Sequence, residues 1–166
     1  MPETATIHGT VEHSIVLAAP VDEVFAAFAD FDRRRRWFRL PGRRTDESVH
    51  DFDFRVGGSE VLRGSFTLPD RTELLDHRLR YLDIVPRQRI AIAQELRIDD
   101  VLRSISLVVW EFTPLAGGVD EGTRVDYLEQ YVFLDVIGDG GPEHGERRGG
   151  TRLMLNGLKA VAESGP

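Results

Sequence analysis

Glu129 lies in the run Gly122 to Leu134 (GTRVDYLEQYVFL), where Val125, Tyr127, Glu129, Tyr131 and Phe133 alternate with Arg124, Asp126 and Gln130. A strand of period two places the first set on one face, so one carboxylate points inward among three aromatic rings. Burial there would raise its pKa and suit it to general acid or base work; the plainer outcome is a carboxylate paired with an arginine. In the run Glu73 to Val85, Leu75, His77, Leu79 and Tyr81 share a face opposite Asp76, Arg78 and Arg80. His77 is therefore an inward imidazole that could move a proton or touch a ligand, or simply be a satisfied core residue. Three strand spacings amount to about 14 Å in a flat sheet, so no Glu129–His77 dyad is expected unless the sheet curls. Trp37, Phe54, Phe66, Tyr81, Trp110, Tyr127, Tyr131 and Phe133, with Met154 and Leu158, are the candidates to line an apolar space, with core packing as their competing role.

Other chemistries lack their residues. Cysteine is absent, which removes thiol nucleophiles, disulfides and thiolate metal sites. His8 and His13 flank Glu12, and His144 lies between Glu143 and Glu146, but neither group has a spacing such as H-E-x-x-H, so no metal is expected. No G-x-S-x-G elbow, P-loop or dinucleotide fingerprint occurs, and Gly138, Gly140 and Gly141 do not supply one. A standard hydrolase, NTPase or dehydrogenase is disfavoured, and no cofactor is expected.

The chain that must position these residues has 166 of them, 41% hydrophobic and 30% charged, which suits one globular domain. We read residues 1–9 as an N-terminal tail and 10–164 as the domain. No apolar run nears the roughly 18 residues of a membrane span, and the N-terminus lacks the basic head and apolar core of a secretory signal. A cytoplasmic protein, monomeric or homodimeric, is expected. The net charge of −7 argues against nucleic acid or anionic membrane as partner. Against that background, Asp32 to Arg44 (DRRRRWFRLPGRR) sets seven arginines against one aspartate. Arg33, Arg34, Arg35 and Arg36 could meet an acidic protein, although such runs are usually solvated surface.

Thr10 to Ala18 reads as a strand. Pro20 then opens a helix with Val21, Val24, Phe25 and Phe28 on one stripe, and a second short helix covers Phe31 to Trp37. Pro41-Gly42 breaks the chain. Strands follow over His50 to Val56, Glu60 to Leu68, Glu73 to Val85, Arg89 to Arg97, Leu102 to Thr113 and Gly122 to Leu134. Both parities of Leu102 to Thr113 are apolar, so it is expected to be central and covered on both faces, with either face free to line the space. Pro114 and Gly117-Gly118 end it. Asp135 to Gly150 is rich in glycine and is expected to be a lid or a disordered connection. Thr151 to Ala162 carries Met154, Leu155, Leu158, Val161 and Ala162 on one stripe of a final helix. The fold class is thus α+β: a curved antiparallel sheet wrapped around a long C-terminal helix, with two short helices after the first strand. Such a fold leaves a concave apolar space.

Several segments, in this order and spacing, resemble a known family: Pro20-Val21-Asp22-Glu23-Val24-Phe25, Arg36-Trp37-Phe38, Phe54-Arg55-Val56-Gly57-Gly58 and Asp83-Ile84-Val85-Pro86 with Arg89-Ile90. Gly122-Thr123-Arg124, Glu129-Gln130, Phe133-Leu134-Asp135 and Gly149-Gly150-Thr151 continue the series. Together they resemble the START-like helix-grip (SRPBCC) superfamily, in its bacterial branch similar to the C-terminal domain of activators of the Hsp90 ATPase. The resemblance spans nearly the whole chain. It implies the helix-grip fold and, as a first expectation, binding of a small hydrophobic or amphipathic molecule such as a lipid or polyketide. It also implies two alternatives: a cyclase- or hydrolase-type enzyme using Glu129 as general acid or base, and an Hsp90 co-chaperone-like interaction domain. One departure is local. Where the branch often has Thr-Glu-Gln-Gly, this chain has Leu128-Glu129-Gln130-Tyr131, and the bulkier ring is expected to narrow the cavity.

Overall fold

The computed structural model describes residues 4–40, 48–116 and 122–165. Strand β1 (Thr4–Leu17) leads into helices α1 (Val21–Ala29) and α2 (Phe31–Trp37). Six strands follow, β2 (Val49–Phe52), β3 (Ser59–Thr67), β4 (Thr72–Val85), β5 (Arg89–Ile98), β6 (Val101–Pro114) and β7 (Thr123–Ile137), and then helix α3 (Gly141–Glu163). The strands make one open, curved, antiparallel sheet in the order β1-β7-β6-β5-β4-β3-β2. This is the expected α+β helix-grip architecture. None of the described helices is long and apolar enough to cross a membrane.

Local chemistry sets the helix ends. The Pro20 carbonyl accepts from the Glu23 and Val24 amides, and Asp22 and Glu23 face the positive end of the α1 dipole. The Asp30 side chain caps α2 by accepting from the Arg33 amide at 2.9 Å. Val24, Ala27 and Phe28 of α1, Trp37 of α2 and Leu155, Leu158, Val161 and Ala162 of α3 are buried with inward residues of the sheet in one core.

The structure revises several boundaries. β1 begins at Thr4 rather than Thr10, because β7 runs on to Ile137 and pairs with it there, Thr4 opposite Ile137. β7 passes Leu134 by means of a bulge: the register shifts between Ala5 and Ile7, and Asp135 takes φ 57°, a left-handed conformation that aspartate tolerates better than most residues. β2 stops at Phe52, since the Gly58 amide bonds the Arg55 carbonyl and turns the chain. Asp135 to Gly150 is not a disordered connection: β7 runs to Ile137, and Gly141 to Gly150 form the first turns of α3. β6 is central but not covered on both faces. Its even residues, Ser104 to Phe112, point inward, while Ile105 and Leu107 stand on the outer face, Leu107 being 55% exposed. The three described helices pack into the core on the inner side, so none of them shields these two residues. The expected breaks at Pro41-Gly42 and Gly117-Gly118, together with Arg43 and Arg44, lie outside the described residues.

The arginine run also divides. Arg34, expected at the surface, is 3% exposed and reaches the fully buried Glu60 of β3. Its Nε donates to both carboxylate oxygens at 3.1 and 3.0 Å and its Nη2 to Oε2 at 2.9 Å. His50 lies 2.7 Å from Oε1, and the Tyr81 hydroxyl donates to Oε2 at 2.8 Å. The guanidinium stacks 3.9 Å from the Phe38 ring centre and 4.4 Å from that of Trp37. Burial alone would push the Glu60 carboxyl up. The Arg34 charge and the hydrogen bonds from His50, Arg34 and Tyr81 outweigh it and hold the group at about 2. Thus α2 is pinned to the sheet by a bidentate ion pair that solvent does not reach.

Glu60→Gln leaves the Arg34 charge buried without its counter-ion and should cost about 3–5 kcal/mol at pH 7. Because the folded carboxyl titrates below its ordinary value of 4.5, the stabilisation is complete above pH 4.5 and is lost as pH falls toward 2. Urea unfolding of both proteins across this range should show the gap closing; a gap that persists to pH 2 contradicts the assignment.

Candidate functional site

Strand parity places Glu129 on the concave face, and the structure agrees. The residue is 1% exposed. Gln94 Nε2, two strands away on β5, donates to Oε1 at 2.9 Å, and the Tyr127 hydroxyl donates to Oε2 at 2.9 Å. Arg147 Nη2, from the second turn of α3, lies 3.3 Å from Oε1. The buried carboxylate therefore has both a counter-ion and hydrogen-bond donors, as burial requires.

The cluster extends along the sheet. His77 Nε2 lies 3.2 Å from Gln94 Oε1, so the amide, donating from its nitrogen and accepting at its oxygen, joins His77 to Glu129 across three strand spacings. Arg147 Nη2 also donates to Ser104 Oγ at 3.2 Å. Its guanidinium carbon stands 5.4 Å from the Tyr131 ring centre and 5.6 Å from that of Phe133. Thr151 Oγ1 donates to the Arg147 carbonyl at 2.9 Å, tying down that turn of α3. Tyr131 OH and His144 Nδ1 lie 2.5 Å apart. The Tyr131 ring leans over Gly9, directly opposite on β1, where a Cβ would collide with it. The bulk expected to narrow the cavity thus occupies the gap that Gly9 leaves.

Electrostatics follow the burial. Burial first, and then the Glu129 charge, push the Tyr127 phenol well above its ordinary value and keep it a donor. Burial raises Tyr131 as well. Burial lowers His77, the Arg147 charge adds to this, and the bond to Gln94 opposes it in part. The described residues hold no group of three or more His, Asp and Glu side chains placed to bind a metal ion.

Residues 18–163 match the family model described as Activator of Hsp90 ATPase homolog 1-like protein. The chain belongs to this family. Solved structures agree with the assignment. An uncharacterised protein from Rhizobium leguminosarum is 31% identical over 98% of this chain and 99% of its own, with a TM-score of 0.81. The Mll3558 protein from Rhizobium loti is 35% identical over 95% and 99%, with a TM-score of 0.74. CalU16 from Micromonospora echinospora, 20% identical over 98% and 86% with a TM-score of 0.60, shares the fold. No curated protein matches the chain.

In this family member the expected lining residues separate into two groups. Trp37, Tyr81, Trp110, Tyr127, Tyr131 and Leu158 are buried. Phe28 packs on Trp37 and Trp110 with ring centres 4.8 and 5.0 Å apart, and Trp110 packs on Tyr127 at 4.6 Å. Phe54, Phe66, His77, Phe133 and Met154 keep part of their surface accessible, as do Gln94, Leu96 and Arg147. An open pocket of about 400 Å³ lies near the far end of α3, beside Val16, Leu17, Lys159 and Glu163, and none of the expected aromatics lines it. The arginine run offers less than expected to a partner: Arg34 is buried on Glu60, Arg33 pairs with Glu23 at 2.8 Å and Arg35 with Asp32 at 2.9 Å.

Four residues of the cluster went unread in the sequence: Gln94, Ser104, Ser106 and Arg147. Gln94 shares parity with Ile90 and Ile92, and the serines with Val108 and Trp110, so a polar residue on an apolar parity was the available signal. Arg147 carried none, because the glycines around it hide the helix.

Unfolded His77 takes up its proton near the ordinary value of 6.5, and the folded residue does so only at lower pH. Between the two, the unfolded state holds the extra proton, so stability falls as pH is lowered from 6.5 until the folded residue also titrates. His77→Gln should remove this part of the pH dependence in denaturant titrations at pH 7 to 5; an unchanged slope rejects the assignment.

Proposed function

We propose that the protein binds a small hydrophobic or amphipathic molecule in the concave space between the curved sheet and α3, with the polar end of that molecule at the Glu129 cluster. The observation that carries this reading is the composition of the inner face around Glu129. A buried carboxylate, paired with a partly exposed arginine, and an amide sit there among aromatic walls, and the neighbouring inward side chains His77, Gln94, Leu96, Phe133 and Met154 retain accessible surface. A few fixed polar groups in an apolar concavity are what orient a small ligand. Membership of the family supports binding of this kind.

A second reading is favoured by the hydrogen-bonded link from His77 through Gln94 to Glu129. Here the bound molecule is also transformed, as in cyclases or hydrolases, with Glu129 as general acid or base. Oε1 already meets Gln94 and Arg147, whereas Oε2 accepts, among the described residues, only from Tyr127 and keeps a lone pair for a proton of the ligand.

A thermal shift screen against hydrophobic acids, sterols and aromatic polyketide-like compounds tests the first reading. A ligand at 100 times its Kd stabilises by about 2.7 kcal/mol, and Met154→Trp, which fills the space from α3, should abolish the shift. If no compound stabilises the protein, the reading fails. For a ligand that is turned over, Glu129→Gln should retain binding and lose turnover; retained turnover removes the enzymatic reading.

A further inference from the structure

The Glu129 cluster contains two hydrogen-bonding atoms with nothing to bond. Ser106 is 7% exposed and its Oγ has no partner; Arg147 Nε is buried and likewise has none. Buried polar atoms are nearly always paired, so two unmet ones beside a single cluster call for an explanation.

Their positions coincide with the site. Ser106 is flanked across the sheet by Gln94 on one side and Tyr131 on the other. Ser104, two residues away on the same face, accepts from Arg147, and Val108, two residues in the other direction, is opposite Glu129. Laterally paired residues stand about 5 Å apart, and same-face residues along a strand about 7 Å apart. Ser106 is therefore at the middle of the polar patch that Arg147 covers from α3.

The unmet atoms also define what would satisfy them. Arg147 Nε–H is a donor only, and the Ser106 hydroxyl can donate as well. A ligand hydroxyl would bring a third proton to Arg147 Nε–H and the Ser106 hydroxyl, and one of the three would be left without an acceptor between the two oxygens. A ligand carboxylate would bring a second negative charge to a patch where one arginine already answers one glutamate, and a buried charge without a counter-ion is costly. A carbonyl oxygen has two lone pairs, no proton and no net charge.

We infer that the site recognises an uncharged carbonyl group, that of a ketone, aldehyde or quinone carried on an apolar skeleton, through Ser106 Oγ and Arg147 Nε. This rests on the ligand-binding reading above and specifies its polar half. Ser106 and Arg147 are then specificity-determining residues, and Glu129 is the positioning residue that aims the guanidinium.

Three probes of one skeleton test it by calorimetry at pH 8: 2-acetonaphthone, 2-ethylnaphthalene and 2-naphthoate. The ketone should bind about tenfold more tightly than 2-ethylnaphthalene, and more tightly than the carboxylate. Ser106→Ala should reduce the ketone preference by about threefold and leave 2-ethylnaphthalene unaffected, and Arg147→Met should abolish the preference. The infrared carbonyl stretch of bound 2-acetonaphthone should move to lower frequency in wild type and move back in Ser106→Ala, a readout that stands even if Arg147→Met does not fold. Equal affinity for ketone and hydrocarbon, or tightest binding of 2-naphthoate, overturns the carbonyl inference while leaving the ligand-binding reading intact. Failure of all three probes to bind overturns the carbonyl inference, and the thermal shift screen decides whether the ligand-binding reading falls with it.

Discussion

A carboxylate buried on the concave face of a sheet must be answered by positive charge and by donors, and Glu129 receives both from elements distant in sequence. The charge comes from Arg147, near the start of α3, and the donors come from Gln94 on β5 and Tyr127 on β7 itself. Much of the geometry follows from satisfying this one group. The sheet curls enough for β5 to reach a side chain on β7. The first turns of α3 lie over the strands rather than in solvent, although four of the first ten residues of that helix are glycines.

Two buried glutamates on the same inner face illustrate the difference between a closed and an open solution. Glu60 is met by Arg34, His50 and Tyr81, with aromatic rings stacked against the arginine. That cluster is a fastening for α2. Around Glu129 the carboxylate is satisfied, but its surroundings are not. Arg147 Nε and Ser106 Oγ stay unmatched, and His77, Gln94 and Phe133 remain partly accessible. The same residue types therefore act as structure in one place and as a candidate recognition surface in the other.

How much of this the residues reveal in order depends on the range of the forces involved. Period-two alternation is local, so the inward direction of Glu129, His77 and Tyr81 was legible, as were the number of strands and the α+β class. Burial of Arg34 was not. Four consecutive arginines look the same whether they are solvated or not, and only Glu60, 26 residues away, decides it. The facing of β6 is hidden because Ile105 and Leu107 are as apolar as Val108 and Trp110, while Ser104 and Ser106 put polar residues on the parity that is in fact buried. The start of α3 was hidden because helix propensity argues against its glycines, and tertiary bonds from His144 and Arg147 override that preference.

The uneven construction of α3 has a kinetic side. At Gly145, Gly149 and Gly150 an added Cβ would meet nothing within 4 Å, so close packing does not require glycine there. Each one costs up to about 1 kcal/mol in helix stability relative to alanine. The C-terminal turns are held by Leu155, Leu158, Val161 and Ala162 in the core, while the first turns are held by a few polar side chains. Local opening is therefore cheapest at the end of the helix that covers the polar cluster. Access to that cluster through fraying of these turns therefore costs less than global unfolding, and the glycines set that cost.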